Sequence, residues 1–182
     1  MKFAFLLGAL FFAPASTPVG PPTIKDFDMA IKASSDFAEK WDKEEFYEGT
    51  TIKRTVDAET IKVIPFKDAP TIDKDIFMIT QALNLTMSMG NLESAFKEEL
   101  EKVAGYPEQG DVESDGDKLA TQEQVKEYIK KIREIRRKMA VKVEKVSKEK
   151  LEKHKDTIPV EQAEKQMELL KKYHDEQKLI DR

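Results

Sequence analysis

Cysteine is absent from the 182 residues. That excludes a disulfide framework, a thiol nucleophile and any thiolate metal site, and leaves packing to hold the fold. Aromatic residues make up only 8%, and glycine and proline number 7 and 8, too few for an all-β or collagen-like chain. Beyond the first dozen residues no stretch approaches the roughly 20 consecutive apolar residues that a membrane-spanning helix needs. A large excess of one charge sign is missing too. The chain has 31 Lys+Arg against 35 Asp+Glu, a net charge of -4, which argues against general nucleic-acid binding. The sequence has no nucleophile elbow, phosphate loop or zinc-helix motif. The two histidines, His154 and His174, lie 20 residues apart without metal-ligand spacing. These absences together point away from an enzyme.

What the chain has in quantity is charge, 36% of its residues beside 40% hydrophobic. The ordinary charged fraction is about 25%. This mixture fits amphipathic helices, each with one buried stripe and a wide solvated face. The expected fold is mainly α, with four to five helices and a candidate β-hairpin at about 50–66. "MKFAFLLGALFFAPA" carries Lys2, an apolar run from Phe3 to Phe12 and the small residues Ala13 and Ala15. It reads as a secretory signal peptide over 1–15, cleaved near Ala15, with a short N-terminal anchor as the alternative. A proline-rich flexible lead, 16–22, precedes a single helical domain over 23–182. The expected location is therefore secreted, with no transmembrane segment.

Thr23 can cap a first helix whose stripe is Ile24, Phe27, Ile31, Ala38 and Trp41, with Ser34 as a polar gap and Gly49 as the stop. "TTIKRTV" and "TIKVIPF" alternate in part around "DAE". They suit a hairpin or a coil with one helical turn. After Pro70, Ile72, Ile76, Ile79, Leu83 and Met87 form a second stripe, and Gly90-Asn91 is expected to interrupt it. Leu92, Phe96, Leu100 and Val103 continue it to a break at Gly105-Tyr106-Pro107. Thr121 and Gln124 fit a capping box. Val125, Tyr128, Ile132, Ile135, Met139, Val143 and Val146 follow as a long stripe. Pro159 suits the first turn of a last helix with Val160, Ala163, Met167 and Leu170 on its apolar face.

The run "DVESDGDKLATQE", Asp111 to Glu123, is the most chemically suggestive. A helix-loop-helix calcium site needs oxygen ligands at alternate loop positions, a glycine for a sharp turn and a closing bidentate glutamate. Asp111, Glu113, Asp115 and Gly116 match the front half in one register, where position twelve is Gln122. Leu119 and Glu123 match the back half in the next register, where position one is Val112. Both halves fit together only in a thirteen-residue loop with one extra residue at Asp117 or Lys118. The segment resembles the EF-hand family. The resemblance implies calcium as the cofactor, with Asp111, Glu113, Asp115 and Glu123 as its metal ligands. It also implies that Leu119 pairs with a second loop through a short β-bridge. Ile158, in a ligand-poor segment near 151–162, is the candidate partner, and the EF-hand-like part would cover about 92–173. The plain alternative is an acidic turn between two helices.

Three further features bear on partners. Lys126 to Lys155 holds thirteen Lys/Arg against five Glu. It can meet an anionic surface, stand as a solvated face, or pair internally with the acidic stretch Glu93 to Asp117. Asn84-Leu85-Thr86 is an N-glycosylation sequon inside the most apolar segment. Val125 to Val146 is a candidate seam for self-association, and Met78, Met87 and Met89 could line a site for a small apolar ligand against the first helix. The expected function is a secreted helical binding protein, EF-hand-like in its C-terminal half. The competing readings are a self-associating structural protein and a carrier.

Overall fold

The computed structural model describes residues 21–55, 61–106 and 114–156, together with Lys165, Glu168, Leu169 and Lys172. The expected leader over 1–15 and the stripe Val160, Ala163, Met167 and Leu170 lie outside the described residues. The chain is mainly helical, but among the described residues there are three α-helices, not four or five. They are α1 (Ile24–Lys40), α2 (Thr71–Lys102) and α3 (Gln122–Glu152). A two-stranded antiparallel sheet, β1 (Thr51–Thr55) and β2 (Ile61–Pro65), joins α1 to α2.

The expected interruption at Gly90-Asn91 does not occur, and α2 runs through it. Glycine in a helix interior costs about 1 kcal/mol relative to alanine, too little to break a helix that is buried on both sides of it, at Met89 and Leu92. The missing side chain has a use. A Cβ at Gly90 would lie 3.1 Å from Nη1 of Arg136, so glycine gives that guanidinium its room. The stop expected at Gly49 also moves. α1 ends at Lys40, a 3-10 turn follows over Glu44–Tyr47, and Gly49 then adopts φ 82° to lead the chain into β1. That left-handed backbone suits glycine.

Helix starts follow the local chemistry. Thr23 and Asp26 cap α1 reciprocally: the Thr23 amide donates to Asp26 Oδ2 at 2.8 Å, and the Asp26 amide donates to Thr23 Oγ1 at 3.4 Å. Thr121 and Gln124 do the same for α3, at 2.9 and 3.3 Å. The hairpin forms where β-branched residues alternate. Ile52 pairs with Ile64 and Lys53 with Val63; Ile52 is buried whereas Lys53 and Val63 are exposed.

Contacts gather the chain into two compact units. The first comprises residues up to Ala38 and Leu85–Arg136, the second Glu39–Asn84 and Arg137 onward. In the first unit Phe27 stacks on Tyr128 at 4.8 Å and 11°, and meets Phe96 at 4.8 Å and 59°. Leu92, Val125 and Ile132 are buried in the same unit. In the second unit Tyr47 stacks on Phe66 at 5.1 Å and meets Phe77 edge-on at 5.6 Å. The Tyr47 hydroxyl donates to the Trp41 carbonyl at 2.7 Å. The face of α1 differs by one step from its expected stripe. Phe27, Ala30, Ser34 and Phe37 are its buried residues, so Ser34 sits at the centre of the face, not in a gap, while Ile31 and Ala38 lie at its margin.

Candidate functional site

Asp111 and Glu113 lie outside the described residues. The remainder of the acidic run belongs to the first unit. Asp115–Asp117 forms a 3-10 turn, with the Ser114 hydroxyl accepting from the Gly116 amide at 3.2 Å. Among the described residues only Gly49 has positive φ among the glycines, so Gly116 does not make the sharp left-handed turn. Of the expected ligands, the two described ones, Asp115 and Glu123, are occupied by neighbouring lysines. Lys118 Nζ is 2.5 Å from Asp115, and Lys126 Nζ is 2.9 Å from Glu123. The hydrogen bond from Lys118, then its charge, holds the Asp115 carboxyl below its usual value. Among the described residues no three His, Asp or Glu side chains gather so as to hold a metal ion.

Leu119 does form an isolated antiparallel bridge, but with Thr23; Ile158 is outside the described residues. The Ile24 amide donates to the Lys118 carbonyl at 2.8 Å. The turn is thereby tied to the start of α1, and Glu123 falls in the first turn of α3. A Cβ at Gly116 would stand 3.6 Å from Lys25 Cβ, an ordinary contact.

The basic helix α3 receives carboxylates from other elements. In the first unit the Tyr128 hydroxyl donates to Asp28 at 2.8 Å. Burial, then this hydrogen bond, pushes the Tyr128 phenol up to about 12. Glu93 draws three cations: Arg133 Nη2 at 3.0 Å and Lys97 Nζ at 3.0 Å on Oε1, and Arg136 Nη2 at 3.0 Å on Oε2. The side chains of Glu93 and Arg136 are each only 2% exposed. Their contact is close but lacks hydrogen-bond direction, so it is chiefly Coulombic. In the second unit Lys142 reaches Asp42 at 2.6 Å and lies over the Trp41 ring at 5.7 Å. Buried Asp75 accepts from Lys150 at 2.5 Å and faces His154 Nε2 at 2.8 Å. Part of the basic run thus has the internal role that its position opposite Glu93 suggests.

The sequence reasoning missed the Glu93–Arg136 and Asp75–His154 pairs. The signal was present. Arg136 is four residues from Ile132 and three from Met139, and Asp75 is three from Met78, so each charge falls in phase with an apolar stripe.

The other candidates are placed as follows. Asn84 is exposed, while Thr86 of its sequon is buried. Val125, Tyr128, Ile132, Met139 and Val143 are buried within the chain, so most of the expected self-association seam is already used as core. Met78 and Met89 are likewise buried, and Met87 is 51% exposed. Comparisons of the chain with protein-family models, curated proteins and solved structures return no match.

Proposed function

We propose that this chain is a secreted helical binding protein whose acidic run is a vestigial calcium loop, kept as a structural tie. The leader-like residues 1–15 support secretion. The observation that carries the vestige is the Leu119–Thr23 bridge placed directly before Glu123 in the first turn of α3. Bridge, then helix entry, then glutamate is the order of the second half of an EF-hand-like loop. The described front half departs from a working loop. Gly116 lacks the left-handed turn, and Asp115 is engaged by Lys118. In this reading the turn joins the starts of α1 and α3, and recognition is left to the outer surface.

Calcium titration followed by backbone NMR tests it. The expected outcome is no movement of the amides from Asp111 to Glu123 at several times the loosest EF-hand range, about 10⁻⁴–10⁻³ M. A saturable shift confined to those amides, lost in both Asp111→Ala and Glu123→Gln but kept in Gln122→Ala, would replace the vestige with a weak site. Its ligands would be Asp111, Glu113, Asp115 and Glu123.

A further inference from the structure

The inner face of α3 is spent on the protein's own core and carboxylates; its outer face in the second unit has a different character. Between Arg137 and Lys148 the exposed residues are Arg137, Lys138, Val141, Lys145 and Lys148. All but Val141 are cationic. The cation nearer the core, Lys142, is engaged by Asp42. The acid within the segment, Glu144, is 37% exposed and pairs with Lys148. Glu149 and Glu152 close the patch on its C-terminal side. At 1.5 Å of rise per residue the eleven steps from Arg137 to Lys148 extend about 16 Å, three helical turns. A chain of net charge -4 therefore carries one straight, outward strip of cations.

We propose that this strip docks a linear sulfated polysaccharide. The inference rests on the extracellular binding-protein reading for its choice of polyanion, and on charge and geometry for the surface itself. Three alternative partners fit the strip less well. A membrane-surface helix inserts an apolar face, but Met139, Ala140 and Val143 of α3 are buried within the protein. Val141, 64% exposed, is the single large apolar side chain on the strip. A protein partner needs a desolvated core of aromatic or aliphatic anchors, and one valine does not make one. A second copy of this chain docked on this face about a two-fold axis would bring the same positive strip. A flexible polyanion needs only cations at successive turns, and its binding is driven by release of condensed counterions. Surface ion pairs such as Lys148–Glu144 are weak in water and yield to a denser array of anions.

Retention on immobilised heparin and titration with a defined heparin fragment test the proposal, using the secreted mature chain in a calcium chelator so that the calcium question cannot affect the result. Binding at low salt is expected. Four contacting cations should give a slope of log K against log salt of about -3, by the law for single-stranded polyanions. Lys138→Glu with Lys145→Glu should reduce the slope to about -1 and weaken binding at least tenfold. Lys53→Glu with Lys62→Glu, an equal charge change on exposed hairpin positions, should leave binding within about twofold, since it touches no contacting cation. Far-UV circular dichroism should be unchanged in both variants. Four results overturn the proposal: no retention at low salt, equal loss in both variants, equal binding of fully desulfated heparin, or stronger binding to vesicles of anionic lipid or to single-stranded DNA.

Discussion

Glu93→Gln separates a packed structural ion cluster from an incidental one. The wild-type carboxylate is 2% exposed and faces Lys97, Arg133 and Arg136 at 3.0 Å each. Lys97 and Arg133 reach solvent, with side chains 49% and 37% exposed, and can be rehydrated when the carboxylate is lost. Arg136 cannot: its side chain is 2% exposed, and its Nε and Nη2 have no directed hydrogen bond. Removing the partner of a buried charge costs about 3–5 kcal/mol. That is a large part of the 5–15 kcal/mol that ordinarily holds a domain folded. The assay is urea denaturation followed by far-UV circular dichroism. Glu93→Leu and Arg136→Leu should each be costly, and the double variant should cost far less than their sum, because no buried charge is then left unpaired. A loss below about 1 kcal/mol for Glu93→Gln, or additive single losses, would refute the reasoning.

The same cluster sets the acid limb of stability. Burial alone would raise the Glu93 carboxyl, but the hydrogen bond from Lys97, the charge of Arg136 and the hydrogen bond from Arg133 outweigh it and hold the carboxyl below its ordinary 4.5. A depressed folded value gives stabilisation that is complete above the unfolded value and lost as pH falls through the folded one. Wild-type protein should therefore lose stability progressively below about pH 4.5, and Glu93→Gln, already weaker at neutral pH, should show a shallower acid limb.

Two further outcomes follow from the aromatic positions. Trp41→Ala should cost about 3–5 kcal/mol, because the indole is fully buried, and Trp41→Phe should cost less, because the indole N–H has no hydrogen-bond partner to lose; urea melts of both variants check this, and a red, freely quenched native emission would contradict the burial. Tyr128 is raised by burial, then by Asp28, to about 12, so its contribution is complete below the ordinary value of 10 and lost as pH rises toward 12; Tyr128→Phe should flatten the alkaline limb of stability over that interval, measured beside phenolate absorbance.

The sequence shows the helices that have clean stripes and capping boxes, because both signals are local. Thr23 with Asp26 and Thr121 with Gln124 can be read at three-residue spacing, and both caps form. The hairpin was legible only as one of two readings: partial alternation allowed a strand pair or a coil, and the register, Ile52 opposite Ile64, is seen in the structure. What failed depended on partners far along the chain. Gly90 looks like a break until Arg136, 46 residues later, is placed beside it. Leu119 has the position of a bridging residue, but the strand-like backbone that meets it belongs to Thr23 at the head of α1, where the sequence shows only a cap. Asp75 is marked as unusual by its phase with Met78, but not as the common partner of Lys150 and His154.

The charge of α3 is better understood by face than by count. Arg136, Lys142 and Lys150 each answer a carboxylate elsewhere in the chain, so neutralising any of them takes a cation from a wholly or partly buried acid. Arg137, Lys138 and Lys145 are exposed, and surface substitutions of that kind usually move stability by no more than about 0.5 kcal/mol. Solubility alone would be served by interspersed signs, and α3 does intersperse them where Glu149 and Glu152 follow Lys148. Stability therefore accounts for the inward cations and solubility for the mixed end of the helix. Neither accounts for three turns in which four exposed cations face one part-exposed acid, Glu144, and that surplus is what the proposed polyanion would meet.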